Sequence, residues 1–203
     1  FLRNVVKTQC IQFIPIVEPI EAADETRTKQ VSDRSVNAEK FGKFLVAVFE
    51  EWVRRDVGKL FVQMFDVALG AWMGRPGGLC VFTPACGRAL AMEHNGDVYA
   101  CDHFVAPEYR LGNIMQTPLV AMAGSAQQLQ FGMDKQAKLP RTCLECEVLF
   151  ACQGGCPKDR IIRTADGEAG LNYVSNGFKA LCQYIYIPMK RMASLLKHGQ
   201  AQG

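Results

Sequence analysis

The placement of cysteine constrains this chain more than any other feature. Of nine cysteines, eight form one ordered array: Cys80, Cys86 and Cys101, then Cys143, Cys146, Cys152 and Cys156 in one burst, then Cys182. The spacing reads C-x9-G-x4-C from Cys86 through Gly96 to Cys101, then C-x2-C-x5-C-x3-C. Four thiolates are what one cubane iron–sulfur cluster or one structural zinc takes, so eight thiols make two such sets. The compact second group is nearer to ferredoxin-like runs, whereas zinc ribbons usually carry two separate pairs. No histidine lies in the tight parts of the array, which suits either metal.

Composition sets the frame for that array. At 203 residues and 49% hydrophobic, the chain can bury a real core in one large or two small domains. The formal charge of +3, from 23 Lys and Arg against 20 Asp and Glu, is too balanced to argue for nucleic acid. A [4Fe–4S]2+ core with four thiolates carries about −2, so two of them would roughly cancel the basic excess. No apolar run reaches the roughly eighteen residues of a membrane span, and the N-terminus does not read as a signal peptide. A reducing cytoplasm is therefore expected, and there disulfides are disfavoured; the C-x2-C spacing argues against them further.

Along the chain, Gln9 to Val17 reads as a buried strand with Cys10 as a small core side chain. Residues 20–34 read as a loop. Ser35 is a candidate N-cap for an amphipathic helix over 36–55, with Phe41, Phe44, Leu45, Val48 and Trp52 on the core face. Phe61 to Phe65 reads as a strand, followed by a short helix capped by Asp66 and running to Trp72. The character changes near residue 75, where glycine, proline and cysteine become frequent. Asn95-Gly96 between short apolar runs predicts a hairpin that brings Cys86 and Cys101 to one end of a ribbon. Residues 110–114 read as a strand, 118–130 as a helix and 157–163 as a short helix. Residues 164–177 read as loop, and 178–197 as a helix that Pro188 kinks or restarts and that carries Cys182. Gly154-Gly155 marks a tight bend around a metal group. Lys158, Asp159 and Arg160 read as a salt-bridged corner, and residues 199–203 as a frayed tail. No role falls to His94, His103 or His198.

At this point the residues resemble a known family. Cys86-x9-Gly96-x4-Cys101, Cys143-x2-Cys146-x5-Cys152-x3-Cys156 and Cys182 match the seven-cysteine pattern of the SPASM domain, the C-terminal extension of many radical S-adenosylmethionine enzymes. Asn95-Gly96-Asp97-Val98-Tyr99-Ala100-Cys101-Asp102-His103-Phe104, Leu111-Gly112-Asn113-Ile114 and Cys152-Gln153-Gly154-Gly155-Cys156-Pro157-Lys158-Asp159-Arg160 resemble one branch, the anaerobic sulfatase-maturating enzymes. Cys80 also fits that branch. The strong part of the resemblance covers residues 80–182, and the Ile11-Gln12-Phe13-Ile14-Pro15 strand with its helix is similar to the end of that family's partial (β/α)6 barrel.

The resemblance implies an α+β architecture. Residues 1–75 would be the end of a radical-SAM barrel, and residues 76–203 a SPASM domain with a β-hairpin and helices, binding two auxiliary [4Fe–4S] clusters. Cys80, Cys86, Cys101 and Cys156 would hold the first, and Cys143, Cys146, Cys152 and Cys182 the second. With all eight ligands from protein, neither cluster keeps an open iron, which favours electron transfer. Asp102 would be the catalytic general base, and nearby cluster charge would raise its pKa. The family converts a Cys or Ser of a sulfatase into Cα-formylglycine without oxygen. It uses S-adenosylmethionine, a third [4Fe–4S] cluster, and an electron donor such as flavodoxin or ferredoxin; neither nucleic acid nor membrane is a partner. The C-x3-C-x2-C motif for that third cluster does not occur in this sequence. The chain is therefore expected to be a C-terminal fragment, inactive alone. Alternative readings are another SPASM peptide-modifying maturase, a zinc-binding interaction module, and a free-standing electron carrier.

Overall fold

The computed structural model describes residues 5–20, 30–75 and 77–199. Most of the expected loop at 20–34 and of the expected tail lies outside the described residues. The architecture is mixed α+β, with small separate sheets and no closed barrel among the described residues.

The chain opens with a β-α-β unit. Strand β1 (Cys10–Ile11) pairs in parallel with β2 (Phe61–Val62), and helix α1 (Ala38–Arg55) connects them. The N-cap of α1 is Asn37, whose side chain accepts from the Lys40 amide at 3.0 Å. The expected cap, Ser35, instead accepts from the Glu18 amide at 2.9 Å and ties down the preceding turn. Phe41, Leu45, Phe49 and Trp52 form the buried face; Val48 is half-buried and Phe44 is exposed against Phe13. The long strand expected at 9–17 is only two residues, and Cys10, expected in the core, is exposed. A two-stranded pair covers little, so Ile14 and Ile16 also remain exposed.

Helix α2 (Gln63–Trp72) begins earlier than the sequence predicts and absorbs half of the expected strand. Asp66 lies inside it and reaches back to accept from the Val62 amide at 2.9 Å, so the helix nucleates upstream of its expected cap. Burial is the main cause raising the Asp66 pKa.

The cysteine-rich part carries a three-stranded antiparallel sheet of β3 (Ala91–Met92), β4 (Asp97–Tyr99) and β5 (Arg110–Asn113). The Asn-Gly hairpin is present, but only Gly96 takes positive φ; Asn95 accepts from the Asp97 amide instead. The helix expected at 118–130 is two helices, α3 (Leu119–Ala123) and α4 (Ala126–Ala137), parted at Gly124 and recapped by Ser125. Short helices α5 (Arg141–Leu144) and α6 (Leu149–Cys152) carry Cys143 and Cys152, while Cys146 and Cys156 lie on the loops after them. The helix expected at 157–163 is a 3-10 turn, Pro157–Asp159. It leads into a hairpin of β6 (Ile162–Arg163), within the expected helix, and β7 (Ala169–Leu171), within the expected loop.

Helix α7 (Ser175–Lys197) is continuous through Pro188 and packs along α1 and α2. The main core lies there, with Phe41, Phe49, Trp52 and Phe65 from one end of the chain meeting Phe178, Leu181, Ile185 and Met189 from the other. Trp52 satisfies its buried ring N–H by donating to the Leu60 carbonyl at 2.9 Å. No described helix is long and apolar enough to cross a membrane.

Candidate metal centres

All nine cysteines are free thiols. Cys80 starts a 3-10 turn, Cys80–Phe82, and Cys86 follows on an extended loop. The Cys86 amide donates to the Gly132 carbonyl of α4 at 3.3 Å. Cys101 follows β4, which ends one residue before Ala100. Gln128, buried on α4, donates from Nε2 to the Gly87 carbonyl at 2.7 Å and to the Ala100 carbonyl at 3.0 Å. One amide thus fixes the neighbours of two cysteines that are far apart in sequence. Gly132 is required by close approach, since a Cβ there would stand 2.5 Å from the Cys86 carbonyl oxygen. Cys156 is held from the other side, its carbonyl accepting from Asn172 Nδ2 at 3.1 Å.

The remaining four cysteines lie on and around α5, α6 and α7. Cys143, Cys146 and Cys152 line a cavity of about 130 Å³ with Gly154, Asn172 and Phe178. Cys182, buried on α7, packs with Val148 and Ala151, and Cys146 and Cys152 lie against that cluster. Electrostatic contacts among the thiols run within two groups. Cys86 feels Cys80, Cys101 feels Cys156, and Cys156 feels Cys80. Cys152 feels Cys143 and Cys146, and Cys182 feels Cys152 and Cys146.

Burial is the main cause that pushes these thiols up, Cys101 to about 12 and Cys152 and Cys156 to about 11. Burial also raises Cys86, Cys143 and Cys182. Such thiols keep their protons near neutrality unless a cation replaces them, so loading a metal releases protons. Among the described residues, no three His, Cys, Asp or Glu side chains close on one point as ligands of a single ion would. The donor set of thiols in two groups of four, unbridged by disulfides, fits iron–sulfur clusters, in which each iron takes one thiolate.

Asp102 is exposed, and its Oδ1 accepts from the Cys101 thiol at 3.1 Å. That hydrogen bond is the main cause holding its carboxyl below the ordinary range, with His103 adding a favourable charge. That lowering belongs to a protonated Cys101 thiol, which donates to the carboxylate. Lys158 and Asp159 form the expected ion pair at 2.6 Å. Arg160 does not join it and points instead at backbone carbonyls.

The second half of α4, beyond residue 130, was not expected from the sequence. The helix's buried residues Gln128, Gly132 and Lys135 lie four and three residues apart, on one helical face, while apolar Leu129 and Met133 are exposed. An inverted amphipathic pattern of this kind is a legible signal, hidden here because the helix was expected to stop at residue 130.

This arrangement defines a class, a cysteine-rich iron–sulfur module attached to a β-α-β unit. Residues 80–147 match the SPASM family, described as an iron–sulfur cluster-binding domain. The chain is 48% identical over 200 residues to a serine-type anaerobic sulfatase-maturating enzyme of Bacteroides thetaiotaomicron, a match covering 94% of this chain and 48% of that protein. A serine-type enzyme of Klebsiella pneumoniae is 34% identical, covering 76% of this chain and 38% of that protein. A cysteine-type enzyme of Clostridium perfringens is 24% identical, covering 92% and 49%. The solved structure of native anSMEcpe with bound AdoMet and Cp18Cys peptide shares the fold, with TM-score 0.78 and 23% identity over 96% of this chain and 52% of that one. The chain belongs with the anaerobic sulfatase-maturating enzymes of the radical S-adenosylmethionine superfamily and matches their C-terminal half. It spans about half the length of the curated relatives it matches.

Proposed function

We propose that this chain is the electron-relaying C-terminal part of an enzyme that oxidises a sulfatase serine to Cα-formylglycine in a reducing cytoplasm. In this reading residues 1–75 close a radical-SAM barrel and residues 76–203 form the SPASM domain. The parallel β1–α1–β2 unit supports the first assignment, as do exposed Ile14 and Ile16, which further strands would cover. The observation that carries the function is the 48% identity to a serine-type enzyme across nearly the whole chain.

Cys80, Cys86, Cys101 and Cys156 hold one [4Fe–4S] cluster, and Cys143, Cys146, Cys152 and Cys182 hold another. The two groups of thiols that share electrostatic contacts support this division. When bound, the clusters supply a one-electron exit path. Oxidising a serine CH2–OH to an aldehyde removes a hydrogen atom from Cβ, a proton from the hydroxyl and one further electron. Asp102, an exposed carboxyl directly after the ligand Cys101, takes the proton. S-adenosylmethionine, the third cluster and the flavodoxin- or ferredoxin-type donor act at the other half of the enzyme, where the hydrogen atom is removed.

The test uses the whole enzyme, anaerobically, with S-adenosylmethionine, a reductant and sulfatase peptides. A serine peptide should lose about 2 Da, two hydrogens, and a cysteine peptide about 18 Da if it reacts. No mass change on either peptide would overturn the reading.

A further inference from the structure

Two cations, Lys135 buried and Arg160 half-buried, lie among the cysteine-bearing loops, and neither pairs with a carboxylate among the described residues. Lys135 is 1% exposed, and its ammonium donates to three backbone carbonyls: Val81 at 3.1 Å, Thr83, and Gln153 at 3.4 Å. Arg160 donates to the Lys135 carbonyl at 2.5 Å, to Gly154 at 3.2 Å, and to Gln153 and Gly155 at 3.4 and 3.5 Å. Neither joins an ion pair among the described residues; the nearby acid, Asp159, is taken by Lys158. The two cations even share one acceptor, the Gln153 carbonyl.

The backbone is shaped for this. Gln153, Gly154 and Gly155 take φ of +51°, +67° and +65°, three left-handed residues in succession between Cys152 and Cys156. Left-handed backbone is unfavourable for glutamine, and its result here is a set of carbonyls turned onto the cations. A buried cation beside a half-buried one is costly unless an anion faces them, and carbonyl dipoles only partly offset that cost. The groups within electrostatic reach that become anionic on metal loading are the cysteines. Lys135 feels Cys86, Cys80 and Cys156, while Arg160 feels Cys143 and Cys152 of one group and Cys156 and Cys86 of the other.

We propose that Lys135 and Arg160 are positioning residues that form a cationic bridge between the two iron–sulfur clusters, raising the reduction potential of both and coupling them. This rests on the two-cluster reading above. Each reduction adds a negative charge to a cluster, and a fixed buried cation stabilises the reduced form. Lys135 faces mainly the first group, with Cys152 of the second also in reach, whereas Arg160 faces both.

The experiment is an EPR-monitored redox titration of the whole enzyme and its Lys135→Met, Lys135→Arg and Arg160→Gln variants, each with iron and sulfide determined. Lys135→Met should lower the reduced-to-oxidised ratio of one cluster at fixed poise about tenfold, a shift of about 59 mV to more negative potential for one electron. Lys135→Arg should restore it, and Arg160→Gln should shift both clusters. Unshifted midpoints in a fully loaded Lys135→Met or Arg160→Gln protein would overturn the bridge. Should Lys135→Met fail to fold, Arg160→Gln decides alone. A wild-type protein without iron and sulfide would instead overturn the two-cluster reading itself.

Discussion

At the residue scale, Asp102 and Asp97 sit at opposite ends of β4 and its extension, and their partners give them different tasks. Asp97 is clasped by Arg110 and Asn113, which hold its carboxyl at about 2 instead of the ordinary 3.8. Because the folded value is depressed, its stabilising effect is complete above about pH 4 and is lost as pH falls toward 2. Thermal unfolding followed across that window should show a decline that Asp97→Asn flattens. Asp102 is held differently: among the described residues, the side chain that donates to it is Cys101. Asp102→Asn in the whole enzyme should keep its iron and lower kcat by about 10²–10⁴-fold, read by product mass spectrometry. Wild-type turnover by that variant would remove Asp102 from the proton transfer.

At the scale of elements, the contact between α1 and α7 depends on two glycines. A Cβ at Gly177 would stand 2.5 Å from the Ala38 carbonyl, and one at Gly42 would stand 2.8 Å from the Gly177 Cα. Gly177→Ala should therefore destabilise by about 1–3 kcal/mol, since neither backbone can yield without unpacking the shared core. Gly70, on α2 with nothing within 4 Å of its missing Cβ, gives the opposite sign. Gly70→Ala should stabilise by about 0.5–1 kcal/mol through helix propensity alone, and paired denaturant titrations compare the two.

Legibility followed the source of each element's stability. Helix α1 was readable to within two residues because its apolar positions repeat at helical spacing. The Asn95-Gly96 hairpin was readable because a local turn specifies it. The extent of β1 was not, because the apolar run Ile11 to Val17 looks the same whether or not a sheet covers it. Nor was the start of α2, set by Asp66 reaching backward rather than capping forward. The cysteine spacing marked the candidate centres, but α4, which clamps them with Gln128, Gly132 and Lys135, carries no motif. Its signal is a polar face that points inward, and that is visible only once something polar is known to lie within.

At the scale of the whole molecule, both ends of the sequence share one core, with Phe41 and Trp52 from the start packed with Phe178 and Ile185 from α7. Cys182 lies on that same helix, so the metal-binding part and the β-α-β unit are mechanically joined through α7. Cluster loading should accordingly stabilise the fold as a whole. Stripping iron with a chelator should lower the unfolding midpoint of the α1–α7 core, read by circular dichroism, and not merely loosen the cysteine loops.

The central claim is that eight thiols from distant loops hold two iron–sulfur clusters. Iron and acid-labile sulfide analysis of anaerobically purified protein tests it most directly. Two cubanes give about eight irons and about eight sulfides per chain in a brown protein. Colourless protein carrying about two zincs and no sulfide would contradict it.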